Sequence, residues 1–183
     1  MKRVVYIALA ISLIMNILLI YDRLENAQKL NISWSNSIAN LAKPIEVSII
    51  SPDLLDKLDE DILRTTNTNL WLLPSQLSNL QSLPDGAEIL TFSTMQKVST
   101  VTNYEHELIT KIQKNITNSK KISSQDLEQL SQINKAWERT LATLQKEKNE
   151  IDPFSPIFRA KQWKTVLEDA SKELDGLKLV PLP

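Results

Sequence analysis

The side chains that most often carry out chemistry are sparse in this sequence. His106 is the only histidine, and it stands between Glu105 and Glu107 in a segment whose pattern predicts a helix. Adjacent residues on a helix point in different directions, so these three side chains do not converge on one ion, and no HExxH spacing follows. We therefore predict no metal site around His106.

Carboxylates are frequent, but acid–base catalysis needs a pair held in a cleft that separates their pKa values. Asp59-Glu60-Asp61, like Glu147 and Glu150, is typical of a solvated helix face. The chain has no cysteine and no glycine-rich phosphate loop, and no serine lies in a hydrolase motif. The sequence thus predicts that the protein is not an enzyme and that it has no catalytic residue, cofactor or metal.

Two groups of residues leave a binding role open. Trp71, Trp137 and Trp163 are candidates to line a small-molecule pocket between helices, although their places within apolar stripes favour packing in the core. Four lysines lie toward the end of one predicted helix, where they form either a patch for phosphate or an acidic polymer, or an ordinary solvated helix end. These are Lys111, Lys114, Lys120 and Lys121.

An apolar run at the start of the chain predicts where the protein resides. Residues 4–21, VVYIALAISLIMNILLIY, number 18 and would span about 27 Å as a helix, close to the thickness of the bilayer core. Only Ser12 and Asn16 in the run are clearly polar. The run therefore predicts a single transmembrane anchor.

The charges beside this run predict its orientation. Lys2 and Arg3 precede it, whereas mixed charges follow it, which favours a cytoplasmic N-terminus and an extracytoplasmic domain in the cell membrane. A cleaved signal peptide is one alternative, but no small-x-small cleavage pattern follows Tyr21. A buried core helix is the other, but the chain has little else apolar enough to surround it.

Composition predicts the fold class and excludes some partners. The chain of 183 residues has 2 glycines, no cysteine and a net charge of -1, and its long segments of helix-favouring residues indicate an all-α fold. The near-neutral charge argues against nucleic acid as a partner. We predict an antiparallel helical bundle in three parts: residues 1–21 as the anchor, 22–50 as a juxtamembrane helix and linker, and 51–183 as the bundle domain.

Periodicity and capping residues predict the helices of the bundle. The membrane helix should continue to Ala42 with Trp34 facing the core, and Pro44 should end it. The β-like run 45–50 should be a connection, because no partner strand is evident. The remaining predictions are a helix starting at Ser51-Pro52, a break at Pro74, a turn at Pro84-Asp85-Gly86, and helices over 87–118, from Ser123 or Ser124, and over 157–175 with Gly176 beyond its end. The helix from Ser123 or Ser124 carries a seam at Leu127, Leu130, Asn134, Trp137, Leu141, Leu144, Lys148 and Ile151.

Three of these helix signals resemble a known family. Ser51-Pro52, Leu73-Pro74 and the Ile122–Leu127 helix start are similar in plan to the N-terminal part of membrane-anchored spore-germination proteins of endospore-forming bacteria. The resemblance implies one membrane helix followed by a helical ectodomain. The repeat domains that follow in that family are absent here, and no site residue carries over.

Two functions follow as hypotheses. The first is a non-enzymatic scaffold whose helical domain binds another protein in a bacterial cell-envelope, sporulation or germination assembly. The second is a ligand-sensing bundle that signals through a membrane partner, since only Met1, Lys2 and Arg3 would remain on the cytoplasmic side. Binding of wall polymers through the lysines is a minor third. The sequence predicts neither the identity of the partner nor the oligomeric state.

Overall fold

In a computed structural model, residues 2–55 and 57–182 are described, without the side chains of residues 2–8 and 10. Within these ranges every regular element is a helix and there is no strand, which confirms the all-α prediction. The helices are α1 (Lys2–Ser48), α2 (Pro52–Leu55), α3 (Glu60–Leu70), α4 (Leu72–Gln81), α5 (Gly86–Ile89), α6 (Phe92–Thr117), α7 (Ser124–Asn149) and α8 (Ala160–Lys172).

Helix α1 is longer than its sequence predicts, because it continues through Pro44 to Ser48. Proline lacks the N–H that would bond to the preceding turn, so a proline usually ends or kinks a helix. Here Pro44 lies buried between the core residues Leu41 and Ile45, and their burial offsets the lost hydrogen bond. The prediction that the helix ends at Pro44 is wrong, and most of the β-like run 45–50 is helical.

Side-chain caps decide where two of the helices begin. Ser123 caps α7, with its Oγ accepting a hydrogen bond of 3.0 Å from the backbone N of Asp126, as the sequence predicts. The predicted helix from Ser51-Pro52 is only the short α2. The longer α3 begins at Glu60 instead, because the Asp59 carboxylate accepts a 2.8 Å hydrogen bond from Ile62 N.

The predicted break near Pro74 falls at Trp71, and Pro74 lies in the first turn of α4, where the absence of its N–H costs little. The predicted turn at Pro84-Asp85-Gly86 is confirmed, but Asp85 adopts the positive φ of 59°. Gly86 is required for close approach instead, since a Cβ there would lie 2.4 Å from Gln81 O.

Two helix boundaries at the end of the predicted list also shift. The helix predicted over 87–118 divides into α5 and α6, because Thr91 caps α6 by accepting a hydrogen bond from Thr94 N. Helix α8 is shorter than the predicted 157–175, and Gly176 does not take the positive φ expected beyond a helix end.

The core is built where α1, α7 and α8 meet the other helices. Helix α1 packs against α3, α4 and α7, and α7 packs against α8. Trp34, Trp137 and Trp163 are fully buried, and Trp34 stacks on Trp163 with ring centroids 6.4 Å apart. The predictions that these three tryptophans pack in the core are confirmed.

The seam predicted along α7 is buried in large part. Leu130, Trp137 and Leu144 are core residues, whereas Leu127 and Leu141 are partly covered. Asn134, which interrupts the seam, is buried because its side chain bonds to both backbone groups of Ile50, at 3.4 Å to N and 3.2 Å to O. An amide in the seam thereby ties α7 to the segment that follows α1.

Candidate functional site

The first part of α1 is an apolar segment that no other part of the described chain covers. Leu9 and the large apolar side chains of residues 11–21 are each more than half exposed. The same helix is buried further along, at Asn31 and Trp34. The first partly covered residues are Ala27 and Gln28. One continuous helix therefore carries an exposed apolar extension and a core-forming half, and we call residues 9–21 the apolar segment.

The predicted membrane span covers residues 4–21, and the side chains of residues 4–8 and 10 lie outside the described part of the chain. In the part that is described, no helix has an apolar stretch long enough to cross a membrane.

A buried polar cluster holds the base of the apolar segment against the rest of the domain. Asn31 Nδ2 donates hydrogen bonds of 3.0 Å to the carbonyls of Ser155 and Ile157, and its Oδ1 accepts one of 3.1 Å from Trp163 Nε1. Trp34 Nε1 donates to Pro84 O at 3.3 Å. These bonds place the 84–86 turn and the loop before α8 at the end of the domain from which the apolar segment extends.

Glu105 is a buried carboxyl group that the sequence analysis missed. It is fully buried, and its Oε2 accepts a 2.7 Å hydrogen bond from Trp137 Nε1. Loss of solvation raises the pKa of Glu105 to about 8, while the bond from Trp137 acts in the opposite direction. Neither Glu105 Oε1 nor Thr102 Oγ1 has a hydrogen-bond partner among the described residues.

The apolar periodicity of α6 indicates that the side chain of Glu105 is buried. Val101, Leu108 and Ile112 are core residues, and Glu105 occupies the position between Val101 and Leu108 that faces the same way. Because Glu105 is fully buried, its carboxyl group has no direct path for proton transfer to a molecule bound at the surface.

His106 lies at the surface beside Trp71. Its Nδ1 is 2.5 Å from Asn67 Oδ1, and its ring makes an edge contact with Trp71 at a centroid distance of 5.0 Å. Trp71 is 65% exposed, so the prediction that it packs in the core is wrong. It occupies the break between α3 and α4, and it therefore lies on the inner face of neither helix. We call Trp71, Leu72 and His106 the distal patch.

The residues of the predicted lysine cluster and of the acidic runs are partly paired and partly exposed. Lys111 forms a 2.9 Å ion pair with the buried carboxylate of Asp126, while Lys114, Lys120 and Lys121 are exposed. Asp61 pairs with Arg64, and Glu60 accepts a 2.6 Å hydrogen bond from Thr117 Oγ1. Glu147 and Glu150 line an open groove with Arg159 and Lys161.

These features define an all-α protein whose longest helix extends beyond the core as an apolar segment. The described residues contain no group of three or more side chains suited to hold a metal ion. Comparison with known proteins finds no matching family model, no matching curated protein and no matching solved structure. The resemblance to spore-germination proteins therefore stays a prediction.

Proposed function

We propose that this chain is a single-pass membrane protein with an extracytoplasmic antiparallel helical bundle. It acts as a non-enzymatic scaffold that binds another protein in a bacterial cell-envelope, sporulation or germination assembly. The observation that carries the proposal is the apolar segment, which is exposed on all sides yet continuous with a helix of the core. The loss of contact with water favours a lipid environment for such a helix.

The two halves of α1 differ in the side chains that they expose to water. A helix with one buried face exposes polar side chains on the other, and the second half of α1 follows that rule, with Trp34 and Ile38 buried and Lys43 exposed. The apolar segment has no charged side chain and only two clearly polar ones. At about 25 cal/mol for each Å² removed from water, its transfer into a bilayer is strongly favourable. Lys2 and Arg3 ahead of it favour a cytoplasmic N-terminus.

The distal patch supports a protein partner. Trp71 is mostly exposed and its ring is held against His106, so binding would cost it little conformational freedom. Trp71 directly precedes α4, whose other end leads to Pro84 beside Trp34. The 10 residues of α4 extend about 15 Å, which sets the patch well away from the apolar segment. A partner can therefore approach it without steric conflict with the membrane.

The ligand-sensing alternative has less support. The cavity beside Trp137, lined by residues that include Leu41, Val98 and Leu167, measures about 20 Å³, which is close to the space of a single water molecule. The larger grooves are open to solvent and mixed in charge. These spaces do not enclose a small molecule, whereas Trp71 in the distal patch is exposed to a protein surface.

Membrane anchoring is tested by placing two lysines in the apolar segment, Ile14→Lys with Leu18→Lys in one chain. Each lysine near the centre of a span opposes insertion by about 2.5–3.5 kcal/mol, so the variant should be released from membranes by an alkaline carbonate wash. The matched control carries Val47→Lys with Leu54→Lys, at exposed apolar positions outside the segment, and should stay with the membranes like the natural chain. Release of the natural chain by the same wash would overturn the anchor.

The scaffold role is tested by placing a photo-crosslinking phenylalanine analogue at position 71 of the full chain. We expect a discrete protein adduct in native membranes, because a mostly exposed aromatic side chain at an interface centre contributes strongly to binding. The same analogue at position 92, where Phe92 is 80% exposed and outside the patch, is the control and should give no such adduct. A chain that remains in the membrane but forms no adduct at position 71 would contradict the partner.

A further inference from the structure

Residues 177–182, which follow α8, have no regular secondary structure and lie across α6 and α7, and we call them the strap. Leu177 and Leu179 pack against the core, whereas Lys178 and Val180 are exposed, an alternation typical of an extended chain. We propose that the surface beneath the strap is a binding site for an extended peptide with apolar residues at alternate positions, and that the strap occupies this site as a displaceable segment. The site does not depend on the membrane anchor.

Two side chains of the helices hold the backbone of Val180. Tyr104, on α6, donates a hydrogen bond of 2.7 Å from its hydroxyl to Val180 O. Gln129, on α7, accepts one of 3.4 Å from Val180 N, and its Oε1 also lies 3.3 Å from the Tyr104 hydroxyl. Gln129 is only 8% exposed, so the fold fixes this acceptor in place. Because both bonds reach backbone atoms, any residue except proline can make them at that position.

The two bonds to Val180 also decide the class of ligand. Inside a helix the backbone N–H and C=O of a residue are bonded within the helix, so neither is free for Tyr104 and Gln129. An extended segment leaves both groups free and turns every second side chain toward the same surface. The site therefore selects an extended peptide rather than a helix.

The strap covers this surface incompletely. Leu177 and Leu179 border an open groove of about 370 Å³, whose α6 wall includes Lys97, Thr100 and Val101. Larger apolar side chains at the two leucine positions would fill more of this groove and remove more apolar surface from water. A peptide from another protein can therefore bind this surface more tightly than the strap does.

Few hydrogen bonds hold the strap in place. Among the described residues of 178–182, Val180 is the only one whose backbone bonds to the rest of the chain. The ion pair of 2.7 Å between Lys97 and Asp175 fixes the chain just before the strap, but both side chains are partly exposed and such pairs contribute little. A segment with so few bonds opens at a lower free energy than the helices do. The strap can therefore leave while the bundle stays folded.

The strap site is separate from the distal patch. Tyr104 and His106 are two positions apart on α6, which is a rotation of about 200° around the helix. Their side chains therefore lie on opposite sides of α6. A peptide bound at Tyr104 and a partner bound at Trp71 would contact different faces of the domain.

The test measures whether the strap competes with a free peptide of the same sequence. The probe is a fluorescein-labelled peptide with the sequence of residues 176–183, GLKLVPLP, and its binding to the full chain in mild detergent micelles is followed by fluorescence anisotropy. Leu179→Asp with Leu182→Asp replaces two leucines that pack against the core and should release the strap. An attached segment competes at an effective concentration on the order of millimolar, so the released chain should bind the probe about tenfold more tightly or better than the natural chain.

Val180→Pro is a second way to release the strap. It removes the N–H that donates to Gln129 and keeps all three leucines, so it introduces no charge beside the core. This variant should also bind the probe more tightly than the natural chain. Circular dichroism of each variant checks that the helices are retained.

Gln129→Leu, added to the released chain, removes the acceptor for the backbone of the peptide and should abolish binding. Gln145→Leu is the matched control, because it makes the same change at an exposed position of the same helix, and it should leave binding unchanged. All chains share the same micelles, so partition of the probe into detergent is common to all of them. Equal binding by the natural and the released chain, binding that survives Gln129→Leu, or no binding to any chain would overturn the site.

Discussion

Replacement of Trp137 by alanine should lower the free energy of unfolding by about 3–5 kcal/mol, the range for removing a large buried aromatic side chain. Trp137 is fully buried, and its Nε1 donates the 2.7 Å hydrogen bond to Glu105 Oε2. Alanine removes both the packing contacts of Trp137 and the only hydrogen bond that the Glu105 carboxyl makes among the described residues. The measurement is urea unfolding of the full chain in mild detergent micelles, followed by circular dichroism.

Two controls separate the contributions in this experiment. Trp71→Ala removes an equally large side chain that is 65% exposed, and it should change the free energy of unfolding little. Trp137→Phe keeps much of the packing but leaves Glu105 without its donor, so it should fall between the two alanine variants. An effect of Trp137→Ala no larger than that of Trp71→Ala would contradict the placement of Trp137 in the core.

Periodicity and capping were enough to predict the helical class and a cap at Ser123 or Ser124, because both depend on residues close together in sequence. They failed at Pro44, where the local cost of a proline is offset by burial of Leu41 and Ile45. That burial depends on contacts with α3, α4 and α7, which are distant in sequence. Local rules can place a helix breaker, but they cannot weigh it against such packing.

The candidate surfaces also differ in how far the local sequence predicts them. The apolar segment is visible in the sequence because its signal is a continuous run of residues. The distal patch is not, since Trp71 lies at the break between α3 and α4, and the sequence predicts that break at Pro74 instead. The loop between α7 and α8 is harder still to predict. Its position beside α1 depends on Asn31 bonding to backbone carbonyls more than 120 positions away, and such a pair leaves no periodic pattern.

The protein should lose stability as pH rises from about 4.5 to about 8 because of Glu105. Burial raises the pKa of this carboxyl from its usual 4.5 to about 8 in the folded chain. Below about pH 4.5 the folded and the unfolded chain both hold this proton, so Glu105 causes no change in stability with pH. Between the two values the folded chain keeps a proton that the unfolded chain releases, and unfolding becomes easier with each rise in pH. Above about pH 8 both chains have released the proton, so Glu105 causes no further change in stability with pH.

Glu105→Gln should remove that dependence. The amide has nearly the same shape, its oxygen can accept the bond from Trp137 Nε1, and it does not ionise, so the variant should be more stable than the natural chain at pH 8 by several kcal/mol, since each pKa unit corresponds to about 1.4 kcal/mol. At pH 4 the two chains should differ much less. The measurement is the urea midpoint of each chain between pH 4 and 9.

Glu107→Gln is the matched control, because it removes a carboxylate from an exposed position on the same helix. It should keep the decline in stability of the natural chain between pH 4.5 and 8. If the Glu105→Gln variant kept that decline as well, the buried carboxyl would not be its source. If Glu105→Gln alone flattens it, the proton on Glu105 is a structural part of the core at neutral pH, and the Trp137 N–H is the contact that holds its carboxyl oxygen in place.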